Sequence, residues 1–117
     1  MNDSPYFRRR TQHKIGKAGR ASEKRIIRDL GGRGRPASGA MEGAKGDIDL
    51  GKTLMEAKST TTASMVLKLD WLAKITHEAL GEGKTPALAV SFIQPDGAPM
   101  RNGEWVLIPM HRFKELT

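Results

Sequence analysis

The order of apolar and polar positions along the chain predicts a small α/β fold. Over 17–30, Ile26, Ile27 and Leu30 recur on one side at about 100° per residue, the spacing of a helix. Gly31-Gly32 supplies the usual stop. The stretch 31–51 holds seven of the 13 glycines and is expected to be a loop where the backbone bends or is closely approached. Short runs at 47–50 and 53–58 read as two strands joined by Gly51-Lys52, a two-residue hairpin turn with glycine first. A longer helix is expected over 63–80, with Met65, Leu69, Leu72, Thr76 and Ala79 on one stripe and Gly81 at its end. Leu88, Val90 and Phe92 alternate along a strand at 87–93. A polar turn region follows at 94–103, then a strand at 104–108 and a closing helix over 110–116. The order is αββαββα, with helices flanking a small mixed β-sheet. Residues 1–16 lack periodicity and are expected to form an N-terminal arm ahead of one domain at 17–117.

Composition narrows the classes of function. At 117 residues, 38% of them hydrophobic, the chain supports one modest core. There are no cysteines, hence neither a disulfide framework nor a thiolate zinc site. No run approaches the roughly 20 apolar residues of a membrane span, and no apolar leader follows the N-terminus, so a cytoplasmic protein without membrane contact is expected. Twenty Lys/Arg against 13 Asp/Glu give a net charge of +7. Residues 1–35 carry eleven basic residues against three acids, so the remaining 82 residues sum to −1. A basic excess confined to the N-terminal third suits a polyanion, most often nucleic acid. Arg8, Arg9, Arg10, Lys14, Lys17, Arg20, Lys24, Arg33 and Arg35, with Lys45 in the loop, are the candidate phosphate contacts. A solvated basic arm would carry the same charges.

The hairpin register brings acids together. With Gly51-Lys52 as the turn, Ile48 faces Met55, Asp49 faces Leu54 and Asp47 faces Glu56. Ile48, Leu50, Met55 and Ala57 then share a core face, while Asp47, Asp49, Leu54, Glu56 and Lys58 share the other. Directly opposed Cβ atoms lie about 4.5–5.5 Å apart, and like charges there repel. A hard cation such as Mg²⁺ is suited to oxygen ligands so placed. Glu23 falls within the apolar stripe of the first helix and needs a partner there. That partner is either the same site or a hydrogen bond to a loop amide.

Glu23 on a basic helix, Pro36-Ala37-Ser38-Gly39-Ala40, Gly46-Asp47-Ile48 and Glu56-Ala57-Lys58-Ser59-Thr60 resemble the PD-(D/E)XK nucleases. Among these the chain is most similar to the archaeal-type Holliday junction resolvases, also found in phages. The likeness runs from about Lys17 to Thr60, and Gly46 stands where the superfamily's name has proline. It implies a restriction-endonuclease-like core and a nuclease domain over 17–117. It further implies that Asp47 and Glu56 ligate Mg²⁺, for which Mn²⁺ substitutes. The Ala57 carbonyl would complete the site, with Glu23 binding directly or through water. Lys58 would orient the attacking water, and Ser38 would either contact the scissile phosphate or be a turn serine. The implied activity is resolution of four-way junctions by a homodimer, since two strands must be cut and one domain has one site. A restriction-like or repair endonuclease acting on other DNA, or a non-catalytic basic DNA-binding protein, are the alternatives.

Gly46 to Thr53 also fits the phosphate-cradle pattern G-x-x-x-x-G-K-T literally. That loop should follow a buried strand and open a helix. Here a strand follows it, and two aspartates within it would repel a nucleotide. No nucleotide cofactor is expected.

Overall fold

The hairpin around Gly51 joins two neighbouring strands of one sheet. The protein's structure is a computed structural model describing residues 5–35 and 47–117, with side chains for 16–35 and 47–117. In chain order the elements are α1 (Pro5–Leu30), β1 (Arg33–Gly34), β2 (Ile48–Asp49), β3 (Thr53–Thr60), α2 (Leu69–Gly81), β4 (Thr85–Ile93), β5 (Pro99–Leu107) and α3 (Met110–Leu116). The five strands form one mixed sheet in the order β1-β2-β3-β4-β5. β3 and β4 run parallel, joined across one face by α2, and every other pairing is antiparallel. The turn has the anticipated form: Ile48 pairs with Met55, Asp49 with Leu54, and Gly51 takes φ +85°, a conformation that favours glycine.

Alternation along β3 divides the core into two layers. Ile48, Met55 and Ala57 point to one face and pack with Ile26 of α1 and with Ala87 and Ala89 of β4. Leu54 points to the other face and packs on Ile75 and Ala79 of α2. The two central strands are thus covered on both sides, as parallel pairs require. A third contact fixes α1 against the β4–β5 turn. Gly97 sits at φ +93°, and a methyl group there would stand 2.6 Å from the Ala21 Cβ and 2.9 Å from the Ala18 carbonyl oxygen. Arg25 locks this junction by donating to the Gly97 carbonyl and pairing with Glu104.

Four expectations are corrected. Residues 5–16, expected as a non-helical arm, belong to α1, which runs unbroken from Pro5 to Leu30. The helix expected over 63–80 starts only at Leu69. Ahead of it Thr60 and Thr62 share a hydroxyl hydrogen bond of 2.7 Å, and Thr62 donates to the Ser64 carbonyl. Such side-chain to backbone bonds compete with the first turn of a helix. The buried stripe of α2 therefore contains Ile75 and Ala79, while Leu69 is exposed. β5 begins at Pro99 rather than Glu104, and the glycine-rich loop contributes a short edge strand, β1. No helix among the described residues is long and apolar enough to cross a membrane.

Candidate functional site

The predicted acidic face of the hairpin is the face covered by α2. Continuing the β2–β3 register by one residue sets Asp47 across from Glu56. β3 places Glu56 and Lys58 two residues apart on that face, and α2 lays Trp71, Lys74 and Glu78 over them at helical spacing. Glu56 is buried. Its Oε1 lies 3.4 Å from Lys58 Nζ and 3.7 Å from Lys74 Nζ. Its Oε2 is buried and has no hydrogen-bond partner. Lys58 is held from its other side by Trp71, whose ring centroid is 4.8 Å from the ammonium.

Asp47 meets Glu78. Burial, a hydrogen bond shared with Glu78 and the Glu78 charge push the Asp47 carboxyl up to about 7, while Lys74 and Arg35 pull the other way. A hydrogen bond between two carboxyl groups requires a proton on one of them. Lys74 lies 3.9 Å from Glu78 as well, so one ammonium serves both sets of acids.

The donor chemistry fits a divalent cation in part. As they stand, no three Asp, Glu, His or Cys side chains among the described residues are grouped to hold a metal. Lys58 and Lys74 approach the Glu56 carboxylate through Oε1, which leaves the buried Oε2 without a hydrogen-bond partner and open to a cation. The repulsion between Asp47 and Glu78 is likewise relieved by a proton or by a cation. All three acids offer the hard oxygen donors that Mg²⁺ prefers.

The other predicted site residues fall in different places. Glu23 is half-buried on α1, which packs on the opposite face of the sheet, and the structure does not group it with Asp47 and Glu56 into a metal-binding set. The Ala57 side chain lies in the α1-side core, its backbone running through the site strand. Ser38 and Lys45 lie outside the described residues. Arg8, Arg9, Arg10 and Lys14 lie within α1, their side chains outside the described set. Lys17, Arg20, Lys24 and Arg33 are exposed, and the first three continue to Arg28 as a solvent-facing stripe at helical spacing. Arg35 instead turns inward. It donates to Asp49 at 2.6 Å and to both oxygens of Glu82 at 2.6 and 2.8 Å. Lys84 and Arg35, aided by the Gly51 amide, hold the Asp49 carboxyl well below the usual range. This network ties β1 and β2 to the end of α2 and leaves Asp49 structural.

Lys74 and Glu78 were not anticipated, although their four-residue spacing beside the buried Ile75 and Ala79 would have marked them as facing the sheet. Trp71, one turn before Lys74 on α2, is placed beside the site by its contact with Lys58. No family model, curated protein or solved structure matches this chain, so a functional reading draws on the geometry just described.

Proposed function

We propose that the chain is a Mg²⁺-dependent, structure-selective DNA endonuclease with a PD-(D/E)XK core, resolving four-way junctions as a homodimer. The observation that carries this reading is Glu56. It is a buried carboxylate with one oxygen near Lys58 and the other unpartnered, on a strand whose hairpin mate sets Asp47 opposite. An unpartnered buried carboxylate oxygen is costly, and such costs are retained where a site uses them.

In this reading Asp47 and Glu56 would hold the cation, with the Ala57 carbonyl and Glu78 as further oxygen donors. Glu23, on α1 at the opposite face of the sheet, would have no part in holding the cation. When bound, Mg²⁺ or Mn²⁺ lowers the pKa of water and neutralises charge on the phosphate. The chain's own groups do the rest. Lys58, fixed between Glu56 and the Trp71 ring, orients a water or donates to a phosphate oxygen at a defined point. Lys74 swings away from the acids, and its 60% exposed side chain has the freedom to do so. Lys17, Arg20, Lys24 and Arg28 on α1 neutralise backbone phosphates without reading sequence.

The test is cleavage of a labelled four-way junction and of a linear duplex of the same arms, with and without Mg²⁺. The proposal expects Mg²⁺-dependent cutting of the junction in symmetric pairs and little cutting of the duplex. Equal cutting of both substrates would replace the resolvase with a restriction-like or repair nuclease. Binding without cutting would leave a non-catalytic DNA-binding protein.

A further inference from the structure

The last strand and the last helix carry apolar surface that nothing in the described chain covers. β5 is the terminal strand of the sheet, so one edge of its backbone is unpaired among the described residues. Edge strands are ordinarily protected by charges, prolines or bulges. The first half of β5 has such devices, Pro99, Arg101, Glu104 and a register shift against β4, but from Trp105 to Met110 the chain reads Trp-Val-Leu-Ile-Pro-Met, six successive residues without a charge. Trp105 and Val106 are more than half exposed. So are Met110, Phe113 and Leu116, which form one stripe on α3, a helix that buries none of its residues. Seven residues are too few for a helix to hold itself in water, so that stripe calls for cover.

Clefts of matching character border the same strand. One of about 210 Å³ is lined by Leu72, Ile75, Pro86, Leu107, Ile108 and Pro109. Another, of about 250 Å³, opens beside Ile26, Leu30, Ala89 and Val106 on the other face of the sheet. The β5 edge is thus flanked by an apolar cleft on each face of the sheet, so a strand added along that edge would meet apolar surface on both sides.

We propose that two copies of this chain pair through this face, β5 running antiparallel to the β5 of the second copy and α3 of each lying over the Leu107–Pro109 side of the other. Three observations favour a second copy over a foreign partner. An antiparallel edge pairing uses the same strand on both sides of the axis. The chain carries +7, with the excess in residues 1–35, so two copies repel least across a face of low charge; 105–110 is uncharged and α3 adds Arg112, Lys114 and Glu115, a net +1. The exposed parts of Trp105, Val106, Met110, Phe113 and Leu116 amount to on the order of 600 Å² per copy, approaching the ~800 Å² per partner of a stable interface. The pairing names the face for the homodimer of the proposed function. Its observations do not draw on catalysis and its test reads mass: a dimer that cuts no DNA would overturn the nuclease alone, and a dimer that survives the double variant would overturn this face alone.

Sedimentation equilibrium of the full chain between 1 and 100 µM is the test. The wild type is expected at twice its 12.8 kDa chain mass. The double variant Val106→Glu/Met110→Glu is expected at the single-chain mass with an unchanged far-UV spectrum, its association weakened at least 100-fold. Leu67→Glu, in the exposed Val66-Leu67-Leu69 run, is expected to remain dimeric. Should the double variant not fold, hydrogen exchange of the wild type substitutes for it. Amides at 105–107 are expected to gain protection between 1 and 100 µM. A monomeric wild type at 100 µM, a folded double variant that stays dimeric, dissociation by Leu67→Glu, or concentration-independent exchange would each overturn the proposal.

Discussion

Replacing Glu78 with Gln removes the charge that faces Asp47 while leaving the burial of Asp47 in place. Burial is the larger cause of the raised Asp47 carboxyl, followed by the Glu78 hydrogen bond and charge. In Glu78→Gln the carboxyl should therefore fall from about 7 but stay above its ordinary 3.8. The consequence for a cation follows from competition with the proton. With a carboxyl at about 7, the ionised fraction rises from roughly one in eleven at pH 6 to ten in eleven at pH 8, so apparent Mg²⁺ affinity should rise about tenfold. In Glu78→Gln that rise should flatten, whatever the absolute affinity. Stability moves in the opposite direction. A carboxyl whose folded pKa is raised disfavours its ionised form, so the fold loses stability as pH climbs from about 4 to about 7. Taken at face value the shift is worth about 4 kcal/mol, but the carboxylate is only part-buried and solvent screens it, so roughly 1 kcal/mol is expected. Asp47→Asn should thus be more stable than wild type by that amount at pH 8, and equal to it at pH 4. The assays are a carboxyl-carbon NMR titration, Mg²⁺ calorimetry at pH 6 and 8, and urea unfolding at pH 4 and 8. An Asp47 that titrates near 4 in the wild type, or is unmoved by Glu78→Gln, would refute the reasoning.

Other changes probe the rest of the site and its frame. Trp71→Leu removes the ring that holds Lys58, and a loss of about 1 kcal/mol of cation–π energy predicts a single-turnover cleavage rate roughly five- to tenfold lower with junction binding intact. An unchanged rate would make Trp71 a packing residue only. Gly97→Ala forces a methyl group against α1 at a left-handed position, and should cost about 1–3 kcal/mol in urea unfolding. A cost under about 0.5 kcal/mol, the scale of an ordinary surface change, would mean that the turn does not pack as described. Asp49 is held below the usual carboxylate range by Lys84 and Arg35, so its contribution is present above about pH 4 and is lost as pH falls further. Asp49→Asn should accordingly lower the melting temperature at pH 7, with the difference closing towards pH 2. A constant difference would assign the effect to something other than the ion pairs.

Much of this was legible because the decisive signals were local. The Gly51-Lys52 turn fixes the β2–β3 register, and a register fixes which side chains share a face. Asp47, Glu56 and Lys58 could therefore be placed together before any coordinates. Signals that depend on distant partners were not legible. Arg35 looked like a phosphate contact because nothing nearby in sequence reveals Glu82, 47 residues on. Glu23 read as a third member of the site, yet side-chain spacing on a helix cannot say which face of the sheet that helix covers. The apolar content of 63–68 suggested helix, whereas the hydroxyls of Thr60 and Thr62 redirect the backbone. The helical state of 5–16 carries no apolar period to announce it, since its apolar residues, Tyr6, Phe7 and Ile15, are separated by seven consecutive polar or charged positions.

Glu56, Asp47 and Lys58 are proposed to form a metal-dependent phosphodiester-cleaving site. Single-turnover cleavage of a four-way junction in Mg²⁺, with wild type beside Glu56→Gln at saturating enzyme, tests it most directly. Glu56→Gln removes the carboxylate charge without changing the side chain's shape. Its cleavage is expected to fall at least 100-fold while junction binding holds or tightens. Wild-type cleavage by a folded Glu56→Gln, or the absence of any Mg²⁺-dependent cleavage by the wild type, would rule out this site.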